Sequence, residues 1–366
     1  MVKKKILFIR PTLGQGGADK VTLNLLRGFD RSKYEISLAL MKMEGKLINQ
    51  IPNDVPVIDL KKKSLWFTLP VLMKLFRKSD FDIFYCTSSG MSIPVVLSKV
   101  LSSSTKITVI SERSSLLRRM NSGLKNKLIL GLKKWLNKQS DFIVVVSEGL
   151  RNELLQLTDV SPNKIVVCNN PVIPKDLSSL MDQSELENSF NNAKTKILAV
   201  GRLVKEKDYK TLIKAFSVIE EESDATLFIL GEGPLKSELL GLIASLSLDK
   251  KVVFLNFDVN PYKYLKKSDV FVMSSQNEGM PGTLIQAIAC GTPSISTDCP
   301  TGPAEIIEDG QNGFLVPVGN YLELSKKILD LLNDEITKDK FKTNGPESVK
   351  RFREEHAISS YFSFIS

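Results

Sequence analysis

The sequence predicts an α/β protein made of two doubly wound domains, each built on a parallel sheet. Short runs of valine, isoleucine and phenylalanine alternate with helical patterns along the whole chain, as in parallel sheets with helical crossovers. This alternation stops in a polar stretch at residues 176–194 and then starts again. A chain of 366 residues is long for one core and sufficient for two.

Each predicted strand is a short apolar run bounded by polar or turn-forming residues. In the first half these runs are Ile6–Arg10, Glu35–Met41, Val55–Leu60, Ile83–Thr87, Ile107–Ser111, Phe142–Ser147 and Ile165–Cys168. In the second half they are Ile197–Val200, Thr226–Leu230, Val252–Leu255, Val270–Met273, Ser294–Ser296 and Phe314–Val316. A Ser-Asp pair before an apolar run recurs within 78–85, 139–146 and 267–274. Because an aspartate at such a corner can accept hydrogen bonds from backbone amides, we expect two sheets of similar construction.

The restart of the pattern sets the predicted domain boundaries. Residues 1–172 form an N-terminal Rossmann-like domain and residues 173–346 form a C-terminal one, with a cleft between them. The last segment, 347–366, is expected to contain a helix that packs back toward the N-terminal domain.

The composition is that of a folded globular protein, and its charge is unevenly distributed. Hydrophobic residues make up 42% and charged residues 25%, which argues against global disorder. Residues 1–175 contain 29 Lys and Arg against 13 Asp and Glu, a balance of +16, whereas the remainder carries 21 against 28, or −7. This asymmetry suggests that the two halves meet different partners. Nucleic acid is a poor candidate, because no recognition motif accompanies the charge.

Cysteine usage and hydropathy predict a reduced, cytoplasmic protein. The four cysteines are scattered, without the spacing of a metal site or a redox pair. The apolar run near the N-terminus ends at Arg10 and is better interpreted as a strand than as a signal peptide. The uncharged stretch between Glu278 and Asp298 contains glycines and prolines, so no transmembrane helix is expected. Any membrane contact would be peripheral, on the inner face of the cytoplasmic membrane.

A glycine-rich turn follows the first predicted strand. In "RPTLGQGGADKVTLNLL" the glycines are at positions 14, 16 and 17, where backbone amides and a helix N-terminus can approach an anion. The spacing is not that of the G-x-G-x-x-G dinucleotide fingerprint. The alternative is a tight turn without a ligand, since glycine is also the usual residue at positive φ.

The corresponding turn of the second half carries two cations. In "AVGRLVKEKDYKTLIKAF", Arg202 follows a strand and Lys207 lies near a helix start. Ligands of open α/β sheets bind at this carboxyl edge, and a guanidinium with an ammonium can neutralise a diphosphate. The alternative is two solvated charges in a lysine-rich loop.

A carboxylate precedes a second helix start in "SSQNEGMPGTLIQAIACGTP", residues 274–293. Pro281 suits a first helical turn, where its missing N–H costs nothing. The amides of Gly282 and Thr283 would then point toward whatever Glu278 binds. Carboxylates accept hydrogen bonds from sugar hydroxyls, and amides at a helix start hold anions. The alternative is that Glu278 simply caps the helix.

Together, four ordered motifs resemble a known enzyme family. The segments "GRLVKEKD", "LGEGP", "EGMPGTLIQAIACGTPSISTD" and "GPAEIIEDGQNGFLV" are similar to the C-terminal half of family four retaining glycosyltransferases of GT-B fold, and "GGADKVTLNL" resembles their N-terminal glycine loop. The resemblance covers nearly the whole chain. It implies the GT-B fold, with two facing Rossmann-like domains, and a nucleoside-diphosphate sugar as donor substrate.

The resemblance also assigns roles to individual residues. Arg202 and Lys207 match the pair that grips the donor diphosphate, and Glu278 matches the first acid of the E-x-seven-E motif, which contacts sugar hydroxyls. The remaining donor-binding positions that it implies are Gly16, Gly17, Gly279, Met280, Gly282, Thr283 and Gln286. No metal or other cofactor is implied, and the D-x-D letters at Asp80 and Asp82 lie at the wrong edge of the sheet.

Two positions depart from the family pattern. Gln286 stands where a second acid usually binds the ribose, which removes a charge but keeps a hydrogen-bonding group. In "ISERSS", where relatives have a histidine, this chain has Glu112 and Arg113. Arg113 is therefore a candidate catalytic residue, either for the leaving phosphate or for an acidic acceptor. The only histidine, His356, is expected to be a surface or packing residue.

Two basic segments are candidates for contact with an anionic membrane. On a helix at 124–136, Leu124, Leu128, Leu132, Trp135 and Leu136 would share one face and Lys127, Lys133, Lys134 and Lys138 the other, with Arg118 and Arg119 upstream. The second segment is "KKKSLWFTLPVLMKLFRK", residues 61–78. The alternative for both is an ordinary packed helix with a solvated face.

The expected activity is retaining transfer of a hexosyl or N-acetylhexosaminyl group. The donor is a nucleoside-diphosphate sugar, and the acceptor is a hydroxyl of a bacterial surface glycan, such as lipopolysaccharide, capsule or exopolysaccharide, carried on polyprenyl diphosphate. The alternative is a non-catalytic protein that binds nucleotide sugars, because Gln286 and the missing histidine both depart from the pattern.

Overall fold

The computed structural model describes residues 2–14, 16–115 and 123–365. The chain separates into two compact units. Unit 1 contains Met1–Pro171 and Glu354–Ser366, and unit 2 contains Val172–Arg353. Among the described residues, no helix combines the length and apolar character needed to cross a bilayer.

Unit 1 is built on a parallel sheet. Its strands are β1 (Lys4–Arg10), β2 (Tyr34–Leu40), β3 (Val57–Asp59), β4 (Ile83–Cys86), β5 (Ile107–Glu112), β6 (Phe142–Val145) and β7 (Ile165–Val167). Their order across the sheet is β3-β2-β1-β4-β5-β6-β7, and all neighbours are parallel. Each apolar run predicted for this half coincides with one of these strands to within two residues.

Unit 2 repeats the design. Its strands are β8 (Thr195–Val200), β9 (Ala225–Leu230), β10 (Val252–Leu255), β11 (Val270–Met273), β12 (Ser294–Thr297) and β13 (Phe314–Val316). The order is β10-β9-β8-β11-β12-β13, again with parallel neighbours. Because β8 and β11 are adjacent, the loops that follow them leave the sheet side by side.

Helices connect the strands in both units. In chain order they are α1 (Gly17–Gly28), α2 (Leu69–Lys78), α3 (Ser92–Leu101), α4 (Gly123–Gln139), α5 (Glu148–Leu157), α6 (Leu177–Met181), α7 (Asn188–Asn192), α8 (Tyr209–Glu222), α9 (Lys236–Ser245), α10 (Tyr262–Lys266), α11 (Gly282–Ala289), α12 (Pro303–Ile306), α13 (Tyr321–Asn333), α14 (Glu335–Ser348) and α15 (Glu354–Phe362). The predicted α/β class with two parallel sheets is therefore confirmed.

Aspartates at three strand corners tie neighbouring strands together. Asp82 accepts a hydrogen bond from the amide of Lys5 (2.8 Å), Asp141 from that of Thr108 (2.6 Å), and Asp269 from that of Lys196 (2.7 Å). This is the role predicted for the recurring phrase. In its first copy, however, Asp82 rather than the Asp of the Ser-Asp pair makes this contact, while Asp80 pairs with the Lys5 side chain.

The predicted division of α4 into an apolar and a basic face is wrong in part. Lys133 is 1% exposed and lies 2.6 Å from Glu112 at the end of β5, whereas Trp135 is 45% exposed. The helix packs through Lys133 and Leu136, because the buried ammonium finds a buried carboxylate as its partner. Arg118 and Arg119 lie outside the described residues, as do the side chains of Leu124, Lys127 and Leu128.

Candidate functional site

The candidate donor site is formed by the loops that follow β8 and β11. Lys207 lies in a short 3-10 turn, Lys205–Lys207, after β8, and Glu278 lies in the loop after β11. The two loops are joined by hydrogen bonds, since Gln276 donates its amide N–H to the Glu206 carbonyl (2.8 Å) and its side chain to Asp208 (2.9 Å). Asp208 adopts a left-handed conformation (φ 46°) and caps α8. The fold therefore fixes both loops at the carboxyl edge of the sheet.

Lys207 and Glu278 form an ion pair across 71 residues of sequence. Lys207 Nζ lies 2.6 Å from Glu278 Oε1, and the Ser275 hydroxyl donates to the same oxygen at 2.8 Å. With two donors already on Oε1, the second carboxylate oxygen is the one available to a ligand. Burial, assisted by this nearby carboxylate, raises the pKa of the Tyr209 phenol above its usual range.

Arg202 follows the same strand as Lys207, and its side chain is exposed. Because Lys207 is neutralised by Glu278, an anionic ligand at this loop would meet the exposed cations Arg202 and Lys205, of which Arg202 lies nearer the end of the strand. The structure thus brings Lys207 and Glu278 into contact and places Arg202 at the same edge of the sheet, outside that ion pair.

The turn between Glu278 and α11 is buried and packs against Thr301 and Gly302. Gly279, Met280 and Pro281 are buried, and the Thr301 hydroxyl donates to the Glu278 carbonyl. Gly302 has a positive φ (96°), and a Cβ placed on it would lie 2.7 Å from Pro281 Cδ. A side chain at position 302 would therefore displace the turn.

Helix α11 begins at Gly282, so the amides of Gly282 and Thr283 lie in its first turn, as the sequence predicts. The Thr283 hydroxyl is buried and finds no hydrogen-bond partner within the described part of the chain. A buried hydroxyl without a partner is costly. Its position at the helix start is one that a bound ligand could satisfy.

Gln286 lies 9% exposed on α11 and is engaged within unit 2. Its Nε2 donates to the hydroxyl of Tyr262 (2.9 Å) and to the carbonyl of Val172 (3.2 Å). The amide nitrogen of the residue expected to meet a ribose is therefore already occupied by protein acceptors.

The glycine turn of unit 1 is held by a buried charge pair that the sequence analysis missed. Arg10 pairs with Asp19, and Asp19 in turn accepts a hydrogen bond from the amide of Gly16 (3.0 Å). Gly16 precedes the first residue of α1, Gly17, which is exposed. The sequence signal for this pair was an arginine at the end of the first strand, Arg10, followed nine residues later by an aspartate, Asp19.

Arg113 points into unit 1. Its Nη1 donates to Asn170 Oδ1 (2.8 Å), and the guanidinium lies close to Tyr361 on α15, whose pKa is raised to about 12 by burial. His356, on the same helix, is exposed. The four cysteines are free and buried, and burial raises the pKa of each thiol to about 12.

Comparisons with known proteins agree with this architecture. Residues 15–176 match the family model described as Glycosyltransferase Family 4, and residues 182–348 match that of Glycosyl transferases group 1. The chain is similar in structure to Anabaena HepE in complex with UDP-glucose, with a TM-score of 0.82, 18% identity and 99% of each chain covered.

Two curated relatives come from Campylobacter jejuni. One, N-acetylgalactosamine-N,N'-diacetylbacillosaminyl-diphospho-undecaprenol 4-alpha-N-acetylgalactosaminyltransferase, is 31% identical over 355 residues, which is 93% of each chain. The other, a GalNAc-alpha-(1->4)-GalNAc-alpha-(1->3)-diNAcBac-PP-undecaprenol alpha-1,4-N-acetyl-D-galactosaminyltransferase, is 25% identical and covers 99% of this chain and 98% of its own. The chain therefore belongs to the family four glycosyltransferases of GT-B fold, and it is an enzyme of the glycosyltransferase class.

Proposed function

We propose that this enzyme transfers an N-acetylhexosamine from a nucleoside-diphosphate sugar to a hydroxyl of a bacterial surface glycan carried on polyprenyl diphosphate. The names of both Campylobacter relatives support the sugar and the lipid-linked acceptor. A third relative, 23% identical over 233 residues, is a poly(ribitol-phosphate) alpha-N-acetylglucosaminyltransferase of Staphylococcus aureus, which supports a surface polymer as the broader class of acceptor.

The observation that carries this proposal is the Lys207–Glu278 pair, together with the exposed Arg202 in the same loop as Lys207. An exposed guanidinium can hold the diphosphate through two oxygens, and the α11 N-terminus adds backbone donors. The second carboxylate oxygen of Glu278 can accept a hydrogen bond from a sugar hydroxyl. Charge that develops on the departing diphosphate is then stabilised by groups already in place, without a metal.

We further propose retention of configuration at the anomeric carbon, as in the resembling family. The glycosidic bond to the diphosphate breaks while the acceptor oxygen bonds to the same face of that carbon. The acceptor proton passes to the departing phosphate oxygen. In this mechanism the chain stabilises the leaving group and orients the sugar, and no side chain forms a covalent intermediate.

The first experiment is a thermal-shift screen of the protein with UDP-, GDP- and ADP-sugars, including UDP-N-acetylgalactosamine. A donor that stabilises the protein is then incubated with undecaprenyl-diphosphate-linked saccharides, and the product anomer is read from its NMR coupling constant. Transfer with retention supports the proposal. Transfer with inversion at the anomeric carbon refutes the proposed mechanism. If a donor stabilises the protein but no sugar is transferred to any lipid-linked saccharide, the proposed acceptor class is refuted.

An anionic membrane surface is the proposed second partner, contacted through one stripe on unit 1. The segment from Lys61 to Lys78 contains no acidic residue, and its exposed residues recur at helical spacing. This aromatic-basic stripe consists of Lys63, Trp66, Phe67, Pro70, Lys74, Arg77 and Lys78. Trp66 is 57% and Phe67 66% exposed, which suits insertion at a lipid interface beside cations that attract anionic headgroups.

A further inference from the structure

Gln286, Tyr262 and Val172 form a closed hydrogen-bonded ring within unit 2. Gln286 Nε2 donates to Tyr262 Oη at 2.9 Å and to the Val172 carbonyl at 3.2 Å, and Tyr262 Oη donates to the same carbonyl at 3.1 Å. A primary amide has two N–H donors, a phenol has one O–H, and a carbonyl oxygen has two lone pairs. Each of the three groups therefore contacts the other two, and the Val172 carbonyl accepts from both side chains.

All three members of the ring are buried. Gln286 is 9%, Tyr262 7% and Val172 8% exposed. Buried polar groups lose their hydration, so an unmatched donor or acceptor at this position would cost far more than the bond itself contributes. Two acceptor oxygens face the side-chain nitrogen at position 286, so a hydrogen-bond donor is favoured there.

Val172 is also fixed through its other groups. Its backbone N–H donates to the carbonyl of Phe352 (3.1 Å). Its side chain packs on the proposed donor turn, because a Cβ placed on Gly282 would lie 3.5 Å from Val172 Cγ1. The ring therefore holds Val172 against the first residue of α11.

We propose that Gln286 and Tyr262 are positioning residues that hold Val172 over the donor turn, and that position 286 requires an amide for this reason. A carboxylate at this position would bring no hydrogen for the Val172 carbonyl and would place a negative charge beside it. Replacing Gln286 with glutamate, the acid of the family pattern, therefore lowers the stability of this protein instead of restoring a contact with the ribose. Only the link to donor binding rests on the proposed function.

The primary test is thermal unfolding of the full chain without ligand. We expect Gln286→Glu to lower the melting temperature of unit 2 by about 4–8 °C at pH 8, since a buried acceptor loses its donor. Gln286→Met, which matches the side chain in length and has no amide, is expected to lower it at every pH. A wild-type melting temperature in both variants overturns the proposal.

The pH dependence of Gln286→Glu separates this role from general packing. Burial beside two acceptors raises the pKa of the introduced carboxyl above its unfolded value of about 4.3. Its protonated form, which can donate one hydrogen bond, is favoured at low pH and is lost as the pH rises through the folded pKa. The deficit relative to wild type should therefore widen from pH 5 to pH 8, whereas that of Gln286→Met should stay constant. An equal deficit at both pH values for Gln286→Glu overturns the proposal.

Tyr262→Phe is the milder variant and keeps the test decisive if Gln286→Glu does not fold. It removes one hydroxyl from the ring, so we expect a fall of about 2–4 °C in the melting temperature and a higher donor KM with a smaller change in kcat.

An unchanged melting temperature of Tyr262→Phe refutes the hydrogen-bonded ring. In Tyr262→Phe, a lowered melting temperature with an unchanged donor KM refutes the positioning role. In Gln286→Glu, a donor KM lower than that of the wild type also refutes it, because the ribose would then bind better to the acid than to the amide. If the wild type transfers no sugar, the melting data still decide the ring, while the proposed function fails separately.

Discussion

At the residue scale, the candidate site is defined by how charge is distributed between Arg202, Lys207 and Glu278. Lys207 and Glu278 are mostly buried, with side-chain exposures of 21% and 13%, and they neutralise each other. Arg202 is exposed. A diphosphate arriving at this edge would therefore meet Arg202 first, and Lys207 could turn to it only by sharing its contact with Glu278.

Replacing Arg202 with alanine should weaken donor binding or turnover about ten- to a hundredfold, because a charge-assisted hydrogen bond contributes about 1.5–3 kcal/mol. Arg202→Lys should recover only part of the loss, since an ammonium lacks the planar fork. Lys205→Ala is the matched control, because Lys205 is an exposed cation in the same loop. Steady-state kinetics with the donor identified by thermal shift measure all three. Equal effects of Arg202→Ala and Lys205→Ala would remove the phosphate assignment.

Glu278→Gln should reduce kcat at least a hundredfold while the protein remains folded. The amide can still accept the Ser275 hydrogen bond, but it no longer balances Lys207 and binds a sugar hydroxyl less strongly than a charged carboxylate does. Glu238→Gln serves as the control, because Glu238 pairs with Lys210 at the surface, where both side chains are about half exposed (50% and 51%), and such pairs contribute little. Full activity of Glu278→Gln, with unchanged circular dichroism, would reduce Glu278 to a structural residue.

The sequence predicted these three residues as site candidates but not their partners. Motif order placed Glu278 at a sheet edge, yet its contact with Lys207 joins residues 71 positions apart, which no local pattern encodes. Ser275, which donates to Glu278, was not singled out in the sequence. Gln286 was expected at a ribose, and its contacts with Tyr262 and Val172 depend on packing between α10, α11 and the start of unit 2.

At the scale of secondary-structure elements, helix α4 shows how packing overrides a pattern read from the sequence. The spacing of its leucines and lysines predicted a simple amphipathic helix. In the structure, Lys133 is buried against Glu112, while Trp135 on the predicted apolar face is exposed. Periodicity gives the existence of the helix, but its orientation depends on a carboxylate contributed by another strand.

Lys133→Met should destabilise unit 1 by about 3–5 kcal/mol, because it leaves the Glu112 carboxylate buried without its partner. Lys138→Met is the matched control on the same helix: Lys138 is 42% exposed and pairs with Asp159, which is 91% exposed, so we expect less than about 1 kcal/mol. Urea unfolding monitored by circular dichroism measures both. A double variant, Lys133→Met with Glu112→Gln, should recover part of the loss, since the buried charge is then absent. Similar losses in Lys133→Met and Lys138→Met would contradict the buried pair.

At the scale of the whole molecule, the alternation of apolar runs predicted the strands of both sheets to within two residues. Parallel strands buried on both faces appear as continuous apolar segments, so each strand can be predicted from its own residues alone. The charge asymmetry was equally readable, since it needs only counting. The sequence did not predict which of these cations are exposed at the surface. Lys133, for example, counts toward the basic half and yet is buried.

The final prediction concerns that basic half. The full-length protein should sediment with phosphatidylglycerol vesicles at low salt and be released at high salt, because each cation near an anionic surface contributes about 1 kcal/mol that is screened by salt. Reversing Lys63, Lys74 and Lys78 to glutamate should abolish sedimentation. Reversing Lys250, Lys266 and Lys267, which are exposed on unit 2, changes the net charge equally and should leave most binding intact.

The two aromatic residues of the stripe provide the final distinction. If Trp66 and Phe67 enter the lipid interface, part of the binding is apolar and survives salt that screens the lysines. Alanine at both positions should therefore lower the salt concentration at which half of the protein is released, with no change in net charge. Loss of binding to the same extent in both lysine triple variants would mean that net charge alone drives association. No sedimentation of the wild-type protein at low salt would exclude the membrane as a partner of this stripe.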